Sequence, residues 1–146
     1  MGLWHRLLAR SPGDYPRFAT AAVLLLAIDV AVTVGSFERL RNGLVRVATA
    51  LARLVPGTPH PVRVVWAVEV ADDRVPGDRK CLVRSLSAEF LLRLYGVEPL
   101  HRIGVDPTGE FEAHSWLEYD DEIIIGDLDD MDRYEPLPPL NDQDSA

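Results

Sequence analysis

The chain of 146 residues contains a single cysteine, Cys81. One thiol cannot form an internal disulfide, so nothing in the sequence points to an oxidising compartment. A zinc site with four cysteine ligands is excluded, and although His101 and His114 could join Cys81 around a metal, no C-x-x-C or H-x-x-x-H spacing is present. We therefore expect a cytoplasmic protein that uses no metal and no other cofactor.

A sustained basic patch interleaved with aromatic residues is also missing, which argues against nucleic-acid binding. The charges are nevertheless divided unevenly along the chain. Residues 1–105 contain fourteen Lys and Arg against nine acids, whereas residues 106–146 contain fourteen acids and one base, Arg133. The net charge of −8 thus separates into +5 and −13, and we expect these two parts to attract one another.

The apolar stretch over residues 18–35 is interrupted by Asp29 and is followed by no A-x-A cleavage site. A helix that spans a bilayer needs about 20 predominantly apolar residues, and an ionisable residue inside such a span is costly. We therefore favour a buried helix over a membrane anchor or an export signal. The sequence leaves open whether this helix packs entirely in the core or also offers apolar surface to a partner.

The sequence changes its pattern near Pro99. Before it, apolar residues recur at helical spacing, and helices are predicted over residues 1–10, 17–34, 37–55, 62–72 and 81–95. The run at 62–72 is also compatible with a strand. After Pro99, short segments rich in aromatic and β-branched residues predict antiparallel strands at 100–105, 111–119 and 122–127.

Helices first and a small antiparallel sheet afterwards indicate an α+β fold. The length fits one domain over residues 1–146. We divide it into a helical region (1–60), a core (61–137) and a flexible acidic tail (138–146).

Cys81 lies where a polar loop gives way to the predicted helix 81–95. A thiol in the first turn of a helix feels the partial positive charge of unpaired backbone N–H groups, and Arg79 and Lys80 add to it. Both effects favour the thiolate, and the same N–H groups could stabilise an oxyanion. The alternative is a packed cysteine that only fills space in the core.

The predicted hairpin supplies partners for the thiol. A two-residue turn at Asp120 and Asp121 in regular register would place His114 opposite Asp127. Directly opposed residues on antiparallel strands have Cβ atoms about 4.5–5.5 Å apart and share one face of the sheet. Asp127 would then accept a hydrogen bond from one nitrogen of His114 and leave the other nitrogen for Cys81. A shift by one residue would put the pair on opposite faces.

Other residues compete for these roles. His101 is a weaker rival to His114, and Asp129 and Asp130 are rivals to Asp127, although the sequence DLDD is more typical of a solvated turn. A cysteine, a histidine and an acid support acyl transfer through a thioester. Peptidases, transglutaminases and acyltransferases share those steps.

Several segments carry a resemblance to a known family: CLVRSLSAEFLLRLYGVEPLHRIGV, FEAHSWLEY, the following GD and the later RYEPL. They resemble the lasso peptide biosynthesis B2 proteins, which are leader-peptide proteases with a transglutaminase-like cysteine protease fold. The similarity covers almost the whole chain and depends on the C-L-x-R-[AS]-L opening, the A-H-[AS]-W strand and an aspartate thirteen residues after the histidine. Ser115 stands where alanine is more usual.

The resemblance implies a papain- or transglutaminase-like core in which Cys81 is the nucleophile, His114 the general base and acid, and Asp127 the orienting carboxylate. It implies removal of the leader from a ribosomally made precursor peptide. The chain has no room for a fused leader-recognition domain, so a separate B1 protein is expected to deliver the leader.

An ATP-dependent lasso cyclase would then join the freed α-amine to an Asp or Glu side chain, and it is a third candidate partner. Two alternatives stay open. One is an acyltransferase or transglutaminase of the same fold, and the other is a non-catalytic scaffold that holds the precursor for the cyclase.

Overall fold

A computed structural model describes residues 14–54, 60–74, 81–108, 113–127 and 131–138. Within these ranges the helices are α1 (Asp14–Val34), α2 (Phe37–Leu51), α3 (Pro61–Arg74) and α4 (Cys81–Leu94). The strands are β1 (Leu100–Val105), β2 (Ala113–Tyr119), β3 (Glu122–Ile125) and β4 (Glu135–Pro136), in the antiparallel order β3-β2-β1-β4. The predicted α+β architecture is confirmed. The helix predicted over 1–10 and the tail after residue 138 lie outside the described residues.

The ambiguous run after His60 forms helix α3. Proline suits its first position, because the missing N–H would have no partner there and the fixed φ already matches the helix. The buried residues of α3 recur at helical spacing, which settles the choice against a strand. They are Val64, Val65, Ala67, Val68 and Ala71.

Helix α4 lies at the centre of the fold and packs against α1, α2, α3 and β2. From Val83 to Leu94 every residue except Arg84 is buried, which is typical of a core helix. Gly96 ends the helix at φ +80, the left-handed conformation that glycine adopts readily. Val97 N–H donates to the Leu92 carbonyl (2.9 Å), closing the terminus and directing the chain into β1.

A buried polar network joins helices α2 and α4 to strands β1 and β2. The guanidinium of Arg41 donates from Nε to Glu89 Oε1 (3.1 Å) and from Nη2 to Oε2 (3.0 Å), and Arg93 Nη2 reaches Oε2 at 3.3 Å. His101 Nδ1 lies 3.0 Å from Glu89 Oε1, and its Nε2 lies 2.7 Å from Ser115 Oγ. His101 is 0 % exposed. It is therefore a core residue bound to Glu89.

The pKa of Glu89 reflects this network. Burial by itself would raise the pKa, but the hydrogen bond and charge of His101, followed by those of Arg41, outweigh burial and lower the pKa to about 2. Glu89 is therefore an ionised carboxylate at neutral pH, held among its hydrogen-bond donors.

Helix α1 contributes to the core along one stripe only. Its buried residues are Ala21, Leu25 and Ile28. Its exposed large apolar residues are Val23, Leu26, Val30 and Val34. The segment Pro16–Val34 is long and apolar enough to cross a membrane by length and composition, a criterion that core helices and signal sequences also meet, and 17 % of its most hydrophobic window is buried. The helix thus packs on the core and leaves apolar surface uncovered.

Candidate active site

A cleft of about 180 Å³ lies where the start of α4 meets α3 and the hairpin of β2 and β3. Cys81, His114 and Asp127, the three residues predicted for acyl transfer, all line it. Residues 123–125, three consecutive isoleucines of β3, also line it, although Ile125 belongs to the buried core. The remaining lining residues are Glu69, Arg84, Ser85 and Gly126. The fold therefore brings residues distant in sequence to one accessible space.

Cys81 is the first residue of α4 and is a half-buried free thiol. Its position in the first turn places it beside backbone N–H groups that have no partner within the helix, as the sequence predicted. Arg79 and Lys80, which were expected to add positive charge, lie outside the described residues. The helix terminus is therefore a described source of positive potential at the sulfur, and the guanidinium of Arg84 lines the same cleft.

The imidazole of His114 is buried and held on several sides. Its ring stacks on Trp116, with centroids 5.9 Å apart, and contacts Tyr134 at 5.4 Å. Its Nε2–H donates to the backbone carbonyl of Gly126. A carbonyl oxygen only accepts, so the proton of the neutral ring is on Nε2 and the lone pair is on Nδ1. Nδ1 is thereby available as a base.

The hairpin agrees with the predicted register only near its turn. Asp120 and Asp121 form the two-residue turn with φ of 51° and 64°, and the first two pairs are Tyr119 with Glu122 and Glu118 with Ile123. The next pair is Leu117 with Ile125, which leaves one residue of β3 unpaired in a bulge. The predicted pairing of His114 with Asp127 does not form, because the bulge moves β3 by one position.

Asp127 is exposed in the cleft and makes no hydrogen bond or ion pair with the described part of the chain. The group that binds His114 is its neighbour, the carbonyl of Gly126. Side-chain reasoning could not identify a backbone acceptor. The available signal was a glycine at the end of a β-branched strand, where a bend or a close approach of backbone is common.

Gly126 predicts a local defect on substitution. Its φ is +87°, and an added Cβ would lie 2.8 Å from Ser115 O and 2.9 Å from Trp116 Cβ. We expect Gly126→Ala to cost about 1–2 kcal/mol from the left-handed backbone alone, and more from these two contacts. The displaced carbonyl should also release His114 and slow any reaction of Cys81.

Gly96→Ala is the matched control. Gly96 has a similar φ of +80°, but an added Cβ would meet no atom within 4 Å. It should lose only the backbone contribution and keep the reactivity of Cys81. Thermal unfolding and the rate of Cys81 alkylation would be measured for both variants. Equal losses in both variants would contradict the proposed crowding at Gly126.

Comparison with known proteins adds one finding. A family model described as the transglutaminase-like superfamily matches residues 24–138. The matched range contains Cys81, His114 and Asp127, together with α2, α3, α4 and the whole described sheet. No curated protein and no solved structure gives a significant match.

Proposed function

Since the chain belongs to the transglutaminase-like superfamily, we propose that it is a cysteine peptidase that removes the leader from a lasso peptide precursor. One observation carries the peptidase assignment: the only thiol of the chain shares a cleft with an imidazole whose tautomer is fixed by a backbone carbonyl. The choice of a lasso precursor as substrate is supported by the segments around Cys81 and His114 that resemble B2 proteins.

The proposed reaction begins with proton transfer from the thiol of Cys81 to His114 Nδ1. The Sγ anion attacks the carbonyl carbon of the scissile amide, and backbone N–H groups at the start of α4 stabilise the oxyanion. The imidazolium then protonates the leaving nitrogen, which becomes the α-amine of the core peptide. The leader remains on Sγ as a thioester.

Hydrolysis completes the cycle. His114 Nδ1 removes a proton from a water molecule, and the resulting hydroxide attacks the thioester carbonyl. The C–S bond breaks, the leader leaves as a carboxylic acid, and Cys81 regains its proton. Throughout the cycle, the Gly126 carbonyl keeps Nε2 protonated and Nδ1 directed to the exchange of protons.

Asp127 supports this cycle through its charge. Its carboxylate lies in the same cleft and would attract the positive charge that forms on His114 during the reaction, but it has no direct hydrogen bond to His114 in the structure. We therefore expect Asp127→Asn to lower kcat by about 10–100-fold, which is less than the roughly 10⁴-fold effect of a carboxylate bonded directly to the histidine. The measurement is steady-state cleavage of the precursor.

Asp121→Asn, in the exposed hairpin turn, is the control and should keep full activity. A loss at position 127 as large as the loss caused by removing the nucleophile would show that Asp127 binds His114 during turnover. Unchanged rates would remove Asp127 from the mechanism.

The proposed function is tested by incubating the protein with the precursor encoded beside it, with and without the B1 protein, and weighing the products. Hydrolysis gives leader and core whose summed mass exceeds that of the precursor by one water. An acyltransferase would instead attach an added primary amine to the leader. Intact precursor in every mixture would favour the scaffold and overturn the proposal.

A further inference from the structure

Glu69 is a carboxylate of the cleft that the catalytic cycle does not use. It lies on α3, is half-buried, and makes no hydrogen bond or ion pair with the described residues. The guanidinium that lines the same cleft, Arg84, has its Nε 3.2 Å from Asp72 Oδ2. Arg84 therefore forms its close ion pair with Asp72, and Glu69 is left with only a longer-range attraction to Arg84.

The surroundings of Glu69 penalise its negative charge. Burial raises the pKa of Glu69; the charge of Arg84 acts in the opposite direction, and Asp73 adds to the increase. A desolvated carboxylate without a partner gains stability from a cation that replaces the lost water. A bound cation would counteract the increase in the pKa of Glu69.

Asp127 has the same preference as Glu69, and the lining cation, Arg84, is already paired with Asp72. Asp127 is an exposed carboxylate without a partner among the described residues. Ile123, a half-buried lining residue outside the core cluster, could contact an aliphatic chain. An acidic side chain would be repelled by Glu69 and Asp127, whereas the charge of Arg84 is already balanced by Asp72.

We propose that the cleft binds a lysine or arginine side chain of the peptide substrate, next to the scissile bond, with Glu69 as the partner of its charge. This inference deepens the proposed function and rests on it for the identity of the substrate. The methylene groups would lie against Ile123, and the cationic end would reach Glu69. In this assignment Glu69 is a specificity residue, because it contacts the substrate away from the reacting atoms.

The first experiment uses Cys81 as a reporter and needs no substrate. Because the full-length chain has one thiol, its reaction with methanethiosulfonate reagents is unambiguous. The rate of reaction with a cationic reagent would be divided by the rate with an anionic reagent of similar size. This rate ratio would then be normalised to the same ratio measured for a small, uncharged free thiol. At low salt we expect the ratio to be about tenfold in favour of the cation, because unit charges a few ångströms apart interact strongly in a partly buried site.

Glu69→Gln should lower this ratio several-fold, since it keeps the shape of the side chain and removes its charge. Glu98→Gln is the matched control, because Glu98 is an exposed carboxylate of the α4–β1 connection and does not line the cleft. A general change in thiol reactivity cancels in the ratio. An unchanged ratio in Glu69→Gln, or no preference for the cation in the natural chain, would overturn the inference.

The second experiment uses peptides that span the leader–core junction and carry Lys, Gln or Glu on either side of the scissile bond. The natural chain should cleave the best Lys peptide with a KM about tenfold below that of its Gln counterpart and a similar kcat. Glu69→Lys should reverse the preference in favour of the Glu peptide. Equal cleavage of all peptides would contradict the proposed role of Glu69 but not the proposed peptidase function. Cleavage of no peptide would contradict the proposed function. The thiol experiment would still decide whether Glu69 attracts cations.

Discussion

Cys81→Ala is expected to abolish cleavage of the precursor, lowering kcat/KM by about 10⁴-fold or more, because the sulfur forms the covalent intermediate. No second thiol in the chain can replace it. Cys81 is half-buried at the rim of a cleft and has no disulfide, so its loss removes little packing. The variant should fold and still bind the B1 protein.

Two measurements check this prediction together. Product masses would report cleavage, and thermal unfolding would show a change in stability of less than about 1 kcal/mol, as for a small truncation at a partly exposed site. Ser85→Ala is a useful control, because Ser85 lies in the same cleft one helical turn later and its hydroxyl donates only to the backbone of Ser115. Turnover by the alanine variant at position 81 would exclude thioester chemistry.

Glu89→Ala is expected to lower the free energy of unfolding by about 3–5 kcal/mol, the usual cost of breaking a buried ion pair by removing one partner. Arg41 is 3 % exposed and His101 is 0 % exposed, so neither side chain can replace its lost hydrogen bond to Glu89 with one to water. The total free energy of unfolding of a domain is about 5–15 kcal/mol, so the variant would be close to unfolding at physiological temperature. Urea unfolding gives the measurement.

Glu98→Ala is the control on an exposed carboxylate and should stay within about 0.5 kcal/mol of the natural chain. Stability against pH gives a second reading. The folded pKa of Glu89 is about 2, below its usual value of 4.5, so its contribution is complete above pH 4.5 and is lost as the pH falls towards 2. This difference corresponds to about 3 kcal/mol, and Glu89→Gln should lack that part of the acid dependence. A variant as stable as the natural chain would contradict the role of the network.

The sequence was sufficient for elements whose signals are local. The helix predicted at 81–95 is observed as Cys81–Leu94, because an apolar pattern ends at a glycine that can adopt positive φ. The first strand, 100–105, is observed at its predicted bounds. The turn at Asp120 and Asp121 also follows from its own residues. Strand β4 was not predicted, since two residues are too few to show a pattern.

Local sequence patterns could not predict the buried polar network around Glu89. Arg41 is 48 residues from Glu89, and His101 is 12 residues from Glu89 and 14 from Ser115. Only the packing of α2 and β1 on α4 brings these groups together. His101 therefore looked like a rival catalyst in the sequence, and its burial with a carboxylate partner explains the residue without any catalytic role.

The site was predicted as a set of residues that share a space, and the cleft does contain all three. The sequence could not predict the hydrogen bonds of these three residues, because three consecutive isoleucines fit either register of β3 equally well. The bulge decides between the registers, and no local sequence pattern predicts it.

That bulge has a consequence for how the protein responds to acid. A carboxylate that accepts a hydrogen bond from an imidazole loses its negative charge once it is protonated. A peptide carbonyl oxygen does not titrate in water. In the bulged hairpin, the group that accepts the hydrogen bond from His114 is the Gly126 carbonyl, which does not ionise. The choice of tautomer for the neutral ring therefore does not depend on the ionisation of a neighbouring acid.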